Sequence, residues 1–234
     1  MKNIVDRLAE MNTRIRAAER RFGRVPGSVR LLAVSKTRSA AEVDASAACG
    51  QADFGENYVQ EALDKMAACR HPGLIWHFIG PVQSNKTRPI AARFAWVHSL
   101  DRDRIARRLD AARPAGLPPL NVCLQVNISD EGSKSGVVPG DLIPLAESVA
   151  VLPRLRLRGL MALPTPSTTL EEQRLPFQHL HGLYEDLQKK GFELDTLSMG
   201  TSLDMEAAVA EGATMVRIGT AIFGPREKRV RHEA

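Results

Sequence analysis

The sequence lacks the features that mark several common kinds of protein. It has three cysteines in 234 residues, Cys49, Cys69 and Cys123. They are odd in number, far apart and form no CxxC pair, which excludes a disulfide framework and a cysteine-based zinc site. No uncharged apolar run approaches the length needed to cross a bilayer. The opening residues Met1 to Arg7 carry charges and no apolar h-region, so no signal peptide is expected. A cytoplasmic protein without a membrane partner is the resulting expectation, and the Asn127-Ile128-Ser129 sequon then has no role. Neither sign of charge dominates. The formal net charge is +5 and both signs are interspersed, which argues against a dedicated nucleic-acid protein. Only Arg226 to Arg231 is locally basic, and it reads as a solvated tail. No G-x-S-x-G, H-E-x-x-H, kinase-type or Rossmann glycine motif occurs, and the six histidines form no ligand-spaced cluster.

What the chain does contain is a regular alternation. An amphipathic opening helix carries Ile4, Leu8, Met11, Ile15 and Phe22 and stops near Gly23 and Pro26. Eight strand-like runs follow, ending near Lys36, Gly55, Gly80, His98, Asn127, Leu163, Gly200 and Gly219. Helical patterns separate them. Ser39 and Glu42 have the spacing of a capping box, and Pro176 is expected to kink or divide the helix from Leu170 to Lys190. Most strands are apolar on both faces, as buried parallel strands are. The fold class is therefore α/β, with a single-domain (β/α)8 TIM-type barrel leading and an open doubly wound sheet as the alternative. The expected organisation is an N-terminal helix over 1–23, a barrel over about 30–224 and a basic tail over 225–234.

In a barrel, chemistry sits at the carboxyl ends of the strands. Lys36 ends the first strand, Leu31-Leu32-Ala33-Val34, and shares a face with Leu32 and Val34. Taken alone it reads most simply as a strand-end lysine with its head in water. If partly desolvated, its amine becomes a nucleophile toward carbonyls. Gly200-Thr201-Ser202 and Gly219-Thr220-Ala221 each precede a helix, an arrangement that suits a phosphate cradle as well as ordinary capping. Gly80 to Thr87 nearly spells a P-loop, but Asn85 replaces the second glycine, so nucleotide hydrolysis is disfavoured. His77 lies inside an apolar strand and reads as a hydrogen-bonded core histidine before a ligand. Asp130-Glu131 and Glu171-Glu172 read as solvated.

Together these residues resemble one family. Ala33-Val34-Ser35-Lys36-Thr37, Phe54 to Glu61, Trp76-His77-Phe78-Ile79-Gly80 and Gln83-Ser84-Asn85-Lys86 are similar to segments of the pyridoxal phosphate homeostasis proteins (the YggS/PROSC type). So are Val126 to Ser129, Lys134-Ser135-Gly136, Arg158 to Met161 and Val216 to Gly224, in the same order and spacing. The resemblance implies a barrel of the alanine racemase N-terminal-domain type that holds pyridoxal 5′-phosphate (PLP). It implies a covalent aldimine on Lys36, with Arg217 facing the pyridine nitrogen. Ser202, Gly219 and Thr220 would bind the phosphate, Met199 and Gly200 would shape the cradle, and Asn57 and His77 would lie near the ring. Thr201 stands where the family often has a hydrophobic residue, and would add a phosphate contact only if its side chain turns inward.

The racemases carry a second, carboxyl-terminal domain that supplies a catalytic tyrosine. Here the chain runs only to Ala234, and its two tyrosines are Tyr58 and Tyr184. The expectation is a non-catalytic carrier of PLP acting in vitamin B6 and amino-acid balance, with weak racemase-type activity as the alternative. The resemblance further implies a monomer whose partners include apo forms of PLP-dependent enzymes. Lys134 is a candidate second contact for the aldehyde during handover.

Overall fold

A computed structural model describes residues 3–129 and 135–225. Helix α1 (Ile4–Arg21) starts at Asn3, whose side chain accepts from the Asp6 N–H while Asp6 caps the Asn3 N–H in return. Its buried stripe of Leu8, Met11, Ile15 and Ala18 lies against the closing helices of the barrel. The chain then alternates β1 (Arg30–Val34), α2 (Ala40–Ala47), β2 (Asp53–Glu56), α3 (Val59–Ala68), β3 (Ile75–Phe78), α4 (Thr87–Arg93), β4 (Trp96–Leu100) and α5 (Asp103–Ala112). It continues through β5 (Leu120–Gln125), α6 (Leu142–Ala150), β6 (Leu155–Met161), α7 (Leu170–Lys189), β7 (Thr196–Ser198), α8 (Met205–Ala210), β8 (Met215–Ile218) and α9 (Thr220–Phe223). The eight strands form one closed barrel in chain order, and β1 pairs with β8 in parallel to complete it.

The expected barrel is thus present, with strands mostly shorter than their apolar runs. β7 stops at Ser198 and β3 at Phe78, because the residues beyond them leave the ladder to shape loops. The Ser39–Glu42 capping box forms as read. A 3-10 turn, Ser84–Lys86, leads into α4. Pro176 neither kinks α7 into two nor ends it. The proline forfeits one backbone bond, while Phe177, Leu180, Tyr184 and Leu187 keep a continuous buried face beyond it. The helix expected after Gly219-Thr220-Ala221 is the single turn α9, which already begins at Thr220.

Side chains alternate across the barrel wall. Phe54 and Phe78 point outward into the layer shared with the helices, where Phe94, Phe177, Ile90 and Leu109 are also sealed from solvent. Each fully buried side chain of this size contributes about 1.5–3 kcal/mol. Inside the wall, Trp96, Cys123 and Met161 form a separate small cluster. Beside it, His77, His98, Ser198 and Arg217 join through hydrogen bonds within the interior.

Candidate functional site

A cavity of about 630 Å³ opens at the carboxyl ends of the strands. Its walls bring together residues from both ends of the chain. Lys36 and Asn57 follow β1 and β2, Thr201 and Ser202 follow β7, Arg217 lies in β8, and Gly219 and Thr220 follow β8.

Lys36 sits on a constrained turn. The next residue, Thr37, has φ of 66°, the only positive value outside glycine among the described residues. A β-branched residue rarely adopts it, so the surroundings must hold it there. They do so from α3. The Thr37 N–H donates to Glu61 Oε1, and Lys65 Nζ donates to the Ser35 carbonyl (2.7 Å) and to Glu61 (3.1 Å). Both peptide groups flanking Lys36 are therefore anchored. Lys65 also pairs with Glu56, which accepts from the Ser35 hydroxyl at 2.6 Å. Burial pushes the Glu56 carboxyl above its ordinary range, against the opposing pull of Lys65.

Across the cavity, Arg217 is held by three acceptors. Its Nη1 donates to the Ser198 carbonyl and, at 2.9 Å, to the Ser198 hydroxyl; Nη2 donates to the Ala162 carbonyl at 2.8 Å. Burial lowers its pKa to about 10, so it remains a cation at neutral pH. Gly219 approaches β1 closely, and a Cβ there would stand 3.3 Å from the Val34 carbonyl and 3.4 Å from the Val34 Cβ, a tight contact. Gly200 has φ of +93°, and a Cβ would stand 2.5 Å from that of Ala208.

Several expected site residues are placed differently. His77 does not line the cavity. It is fully buried in the barrel interior, between Asp53 (2.8 Å) and His98 (2.9 Å), because β3 turns it inward one layer below the mouth. Met199 is buried in the outer core and faces away from the cavity. Gly200 lines a smaller adjoining cavity of about 120 Å³, which also touches Thr201 and Arg217. The Thr201 hydroxyl and N–H both donate to Asp204 Oδ1, at 2.8 and 2.6 Å, so that side chain offers no hydroxyl to an anion. The loops at Ser202 and Thr220 lead into helices of one to two turns, so little helix dipole stands behind them. What remains for an anion is the backbone N–H groups of a first turn, which no helix bond uses, and the two hydroxyls. Lys134 and the 226–231 tail lie outside the described residues.

Sequence reasoning missed Arg38, Ile79, Leu163 and Leu203, which also line the cavity, while Ala221 lines it as part of the expected cradle. Arg38 was not legible, because the turn at Thr37 ends the alternation of β1 before it; its Nη2 donates to the Gly224 carbonyl. Leu163 and Leu203 come from loops whose direction no periodicity encodes.

The chain matches the family described as "Alanine racemase, N-terminal domain" over residues 7–227. It is 59% identical to the pyridoxal phosphate homeostasis protein of Pseudomonas aeruginosa over 97% of each chain. It is 52% identical to that of Escherichia coli K12, over 97% of this chain and 98% of the other. The chain belongs to the pyridoxal phosphate homeostasis protein family. PipY of Synechococcus elongatus PCC7942, solved with PLP bound, superposes with a TM-score of 0.83. The two are 36% identical, over 95% of this chain and 100% of PipY. The alanine racemase of Corynebacterium glutamicum is similar in fold alone, at 16% identity and a TM-score of 0.69, over 98% of this chain and 63% of the racemase.

The described residues fit the cofactor that PipY carries. A phosphate suits Ser202, Thr220 and the close backbone at Gly219. An aldehyde suits Lys36. Asn57 keeps a buried Oδ1 without a hydrogen-bond partner at the cavity wall. Among the described residues there is no cluster that could hold a metal ion.

Proposed function

We propose that this chain binds PLP covalently through Lys36, holds it and passes it on, serving vitamin B6 and amino-acid balance inside the cell. The observation that carries the reading is the convergence on one cavity of a turn-anchored lysine, a buried guanidinium and a small-residue anion cradle. PLP supplies an aldehyde and an electron-withdrawing ring. Lys36 would hold the aldehyde through its Nζ, an amine that condenses with carbonyls when PLP is bound. Ser202, Thr220 and the Gly219 backbone hold the phosphate. Arg217 would face the pyridine nitrogen, where a cation would keep that nitrogen unprotonated and weaken the ring as an electron sink.

The same wall supports holding over turnover. Among its lining residues only Lys36 carries a side chain that can act as a base near neutral pH. The Tyr184 hydroxyl is buried on the Leu194 carbonyl, and Tyr58 is exposed outside the lining. A second base for two-sided proton transfer is therefore missing from the wall. The partners that follow are PLP and apo forms of PLP-dependent enzymes, taken up by a monomer without nucleic acid or membrane. No described helix is long and apolar enough to cross a membrane.

Borohydride reduction of PLP-loaded protein followed by peptide mass spectrometry should place the cofactor on Lys36. Lys36→Ala should abolish the fixed adduct. A protein that takes up no PLP, or carries it on another lysine, defeats the reading. Incubation of loaded protein with an L-amino acid in D₂O should give no sustained α-proton exchange. Exchange that Lys36→Ala abolishes would make it an enzyme instead.

A further inference from the structure

A continuous file of hydrogen bonds crosses the barrel interior and ends on Arg217. Ser198 Oγ stands 2.9 Å from Arg217 Nη1 and 2.8 Å from His98 Nδ1. His98 Nε2 stands 2.9 Å from His77 Nδ1, and His77 Nε2 stands 2.8 Å from Asp53 Oδ1. Asp53 opens β2, beside Arg30 at the start of β1, and both line a separate cavity of about 230 Å³ at the amino-terminal end of the barrel. Arg217 lines the main cavity at the opposite end. Both imidazoles are fully buried and lie between these two openings.

The two ends fix the direction of every bond between them. A guanidinium only donates, and a carboxylate only accepts. Arg217 donates to Ser198 Oγ, so the serine proton is available for His98 Nδ1. A hydroxyl oxygen can accept twice, so the carboxylate end decides: Asp53 takes the His77 Nε2 proton, the bare His77 Nδ1 takes the His98 Nε2 proton, and His98 Nδ1 is left bare for the serine proton. Burial lowers the pKa of both rings, so each is neutral and carries one proton. The reverse polarity would set a bare His77 nitrogen against a carboxylate oxygen.

We infer that Asp53, His77 and His98 are positioning residues: through Ser198 they form a one-way donor file that orients Arg217 for the ring nitrogen of the bound cofactor. The file leaves Ser198 Oγ with its lone pair toward Nη1. Together with the carbonyls of Ser198 and Ala162 it fixes three of the guanidinium protons and leaves Nε–H and one Nη2–H for a ligand. The contact with the ring nitrogen rests on the proposed PLP reading; the direction of the file does not.

The test has two arms. In cofactor-free protein, ring ¹⁵N NMR should show His77 and His98 both bare at Nδ1 and protonated at Nε2. An imidazolium or an Nδ1–H form at either residue overturns the file. In the second arm, full-length protein is loaded with PLP labelled with ¹⁵N in the ring. His98→Phe and Asp53→Ala should shift the pyridine nitrogen resonance in the same sense as Arg217→Gln, by a smaller amount. Asp53→Asn, which can still accept through its amide oxygen, should stay at the wild-type position. A resonance unmoved in Asp53→Ala overturns the positioning role even if thermal stability falls. Asp53→Ala that folds but no longer takes up PLP, beside an Asp53→Asn that does, supports it. If His98→Phe does not fold, the Asp53 pair decides, since that side chain stands at the far end from the cofactor. Failure of the wild type to take up PLP would sink the proposed function while the first arm still decides the file.

Discussion

Outside the barrel wall, Phe54, Phe78, Phe94 and Phe177 lie sealed among leucines, isoleucines and alanines. Inside it, Asp53, His77, His98, Ser198 and Arg217 follow one another through hydrogen bonds, with Trp96, Cys123 and Met161 packed beside them. The outer layer is non-directional and gains stability from area removed from water. The inner file is directional and gains little net stability, because each bond replaces one to water. The difference separates two tasks. The shell holds the barrel closed, and the interior aims a cation at the mouth.

Removing a shell side chain should therefore cost the most. Phe54→Ala should lower unfolding free energy by about 3–5 kcal/mol in denaturant titration, as large cavities in rigid cores do. PLP that does load should keep the wild-type absorption spectrum. His98→Phe should show the opposite pattern, with a smaller stability loss and a changed cofactor environment. If the two variants lose similar stability and both leave the spectrum alone, the separation of tasks fails.

The shell is not purely apolar, and its polar islands sharpen the comparison. Lys65 and Glu56 form a buried pair beneath the Lys36 turn. Lys65→Met leaves Glu56 without its cation and should cost roughly 3 kcal/mol at neutral pH. Burial raises the folded pKa of Glu56, so its contribution is fully present below the ordinary carboxylate value and is lost as pH rises through the raised one. Without Lys65 that loss should steepen, seen as a larger fall in melting temperature from acid to neutral pH. Glu56→Gln combined with Lys65→Met should flatten it. Unlike other shell variants, Lys65→Met should also slow the capture of PLP by Lys36, because the Ser35 carbonyl loses its anchor.

The shell was legible in the sequence because apolar periodicity reports burial. The eight runs and the opening helix could be read for that reason. The inner file was not legible. Its members sit singly in otherwise apolar strands, and they meet only when β2, β3, β4, β7 and β8 close on one another. His77 was read from the residues as a core histidine, which its two hydrogen-bond partners support. The family resemblance placed it near the ring, and it does not reach the cavity lining. Lys36 and Arg217 could be named, but the Glu61–Lys65 anchor of the Lys36 turn could not. It depends on α3 folding back over β1, through contacts between residues 24 and 30 positions apart.

A second island, Glu19, should matter somewhat less. It is buried on α1 and accepts from Arg16 (2.6 Å), Gly27 N–H (3.0 Å) and Val29 N–H (2.8 Å), which ties the loop before β1. Burial pushes its carboxyl up, but the Gly27 N–H, Arg16 and the Val29 N–H outweigh that and leave it below the ordinary range. Its stabilisation is thus present above the ordinary carboxylate pKa and lost as pH falls through the lowered folded value. Glu19→Gln should cost about 1–3 kcal/mol at neutral pH and remove that part of the acid dependence, with PLP binding unchanged.

The smallest effect should come from the rim, where shell and interior meet. Thr201 lines the cavity, yet its hydroxyl and N–H are both spent on Asp204. Thr201→Val keeps the shape and removes one partly exposed hydrogen bond, so stability should fall by about 0.5–1 kcal/mol. The dissociation constant for PLP should stay within about twofold of wild type, because no hydroxyl directed at the phosphate is lost. Ser202→Ala makes the control, since Ser202 lines the same cavity and is the hydroxyl assigned to the phosphate; it should weaken binding by about tenfold, the worth of one hydrogen bond to a charged group. A tenfold loss in Thr201→Val as well would mean that Thr201 leaves Asp204 when PLP enters. The cradle would then be assembled by its ligand, unlike the preset guanidinium on the far side of the cavity.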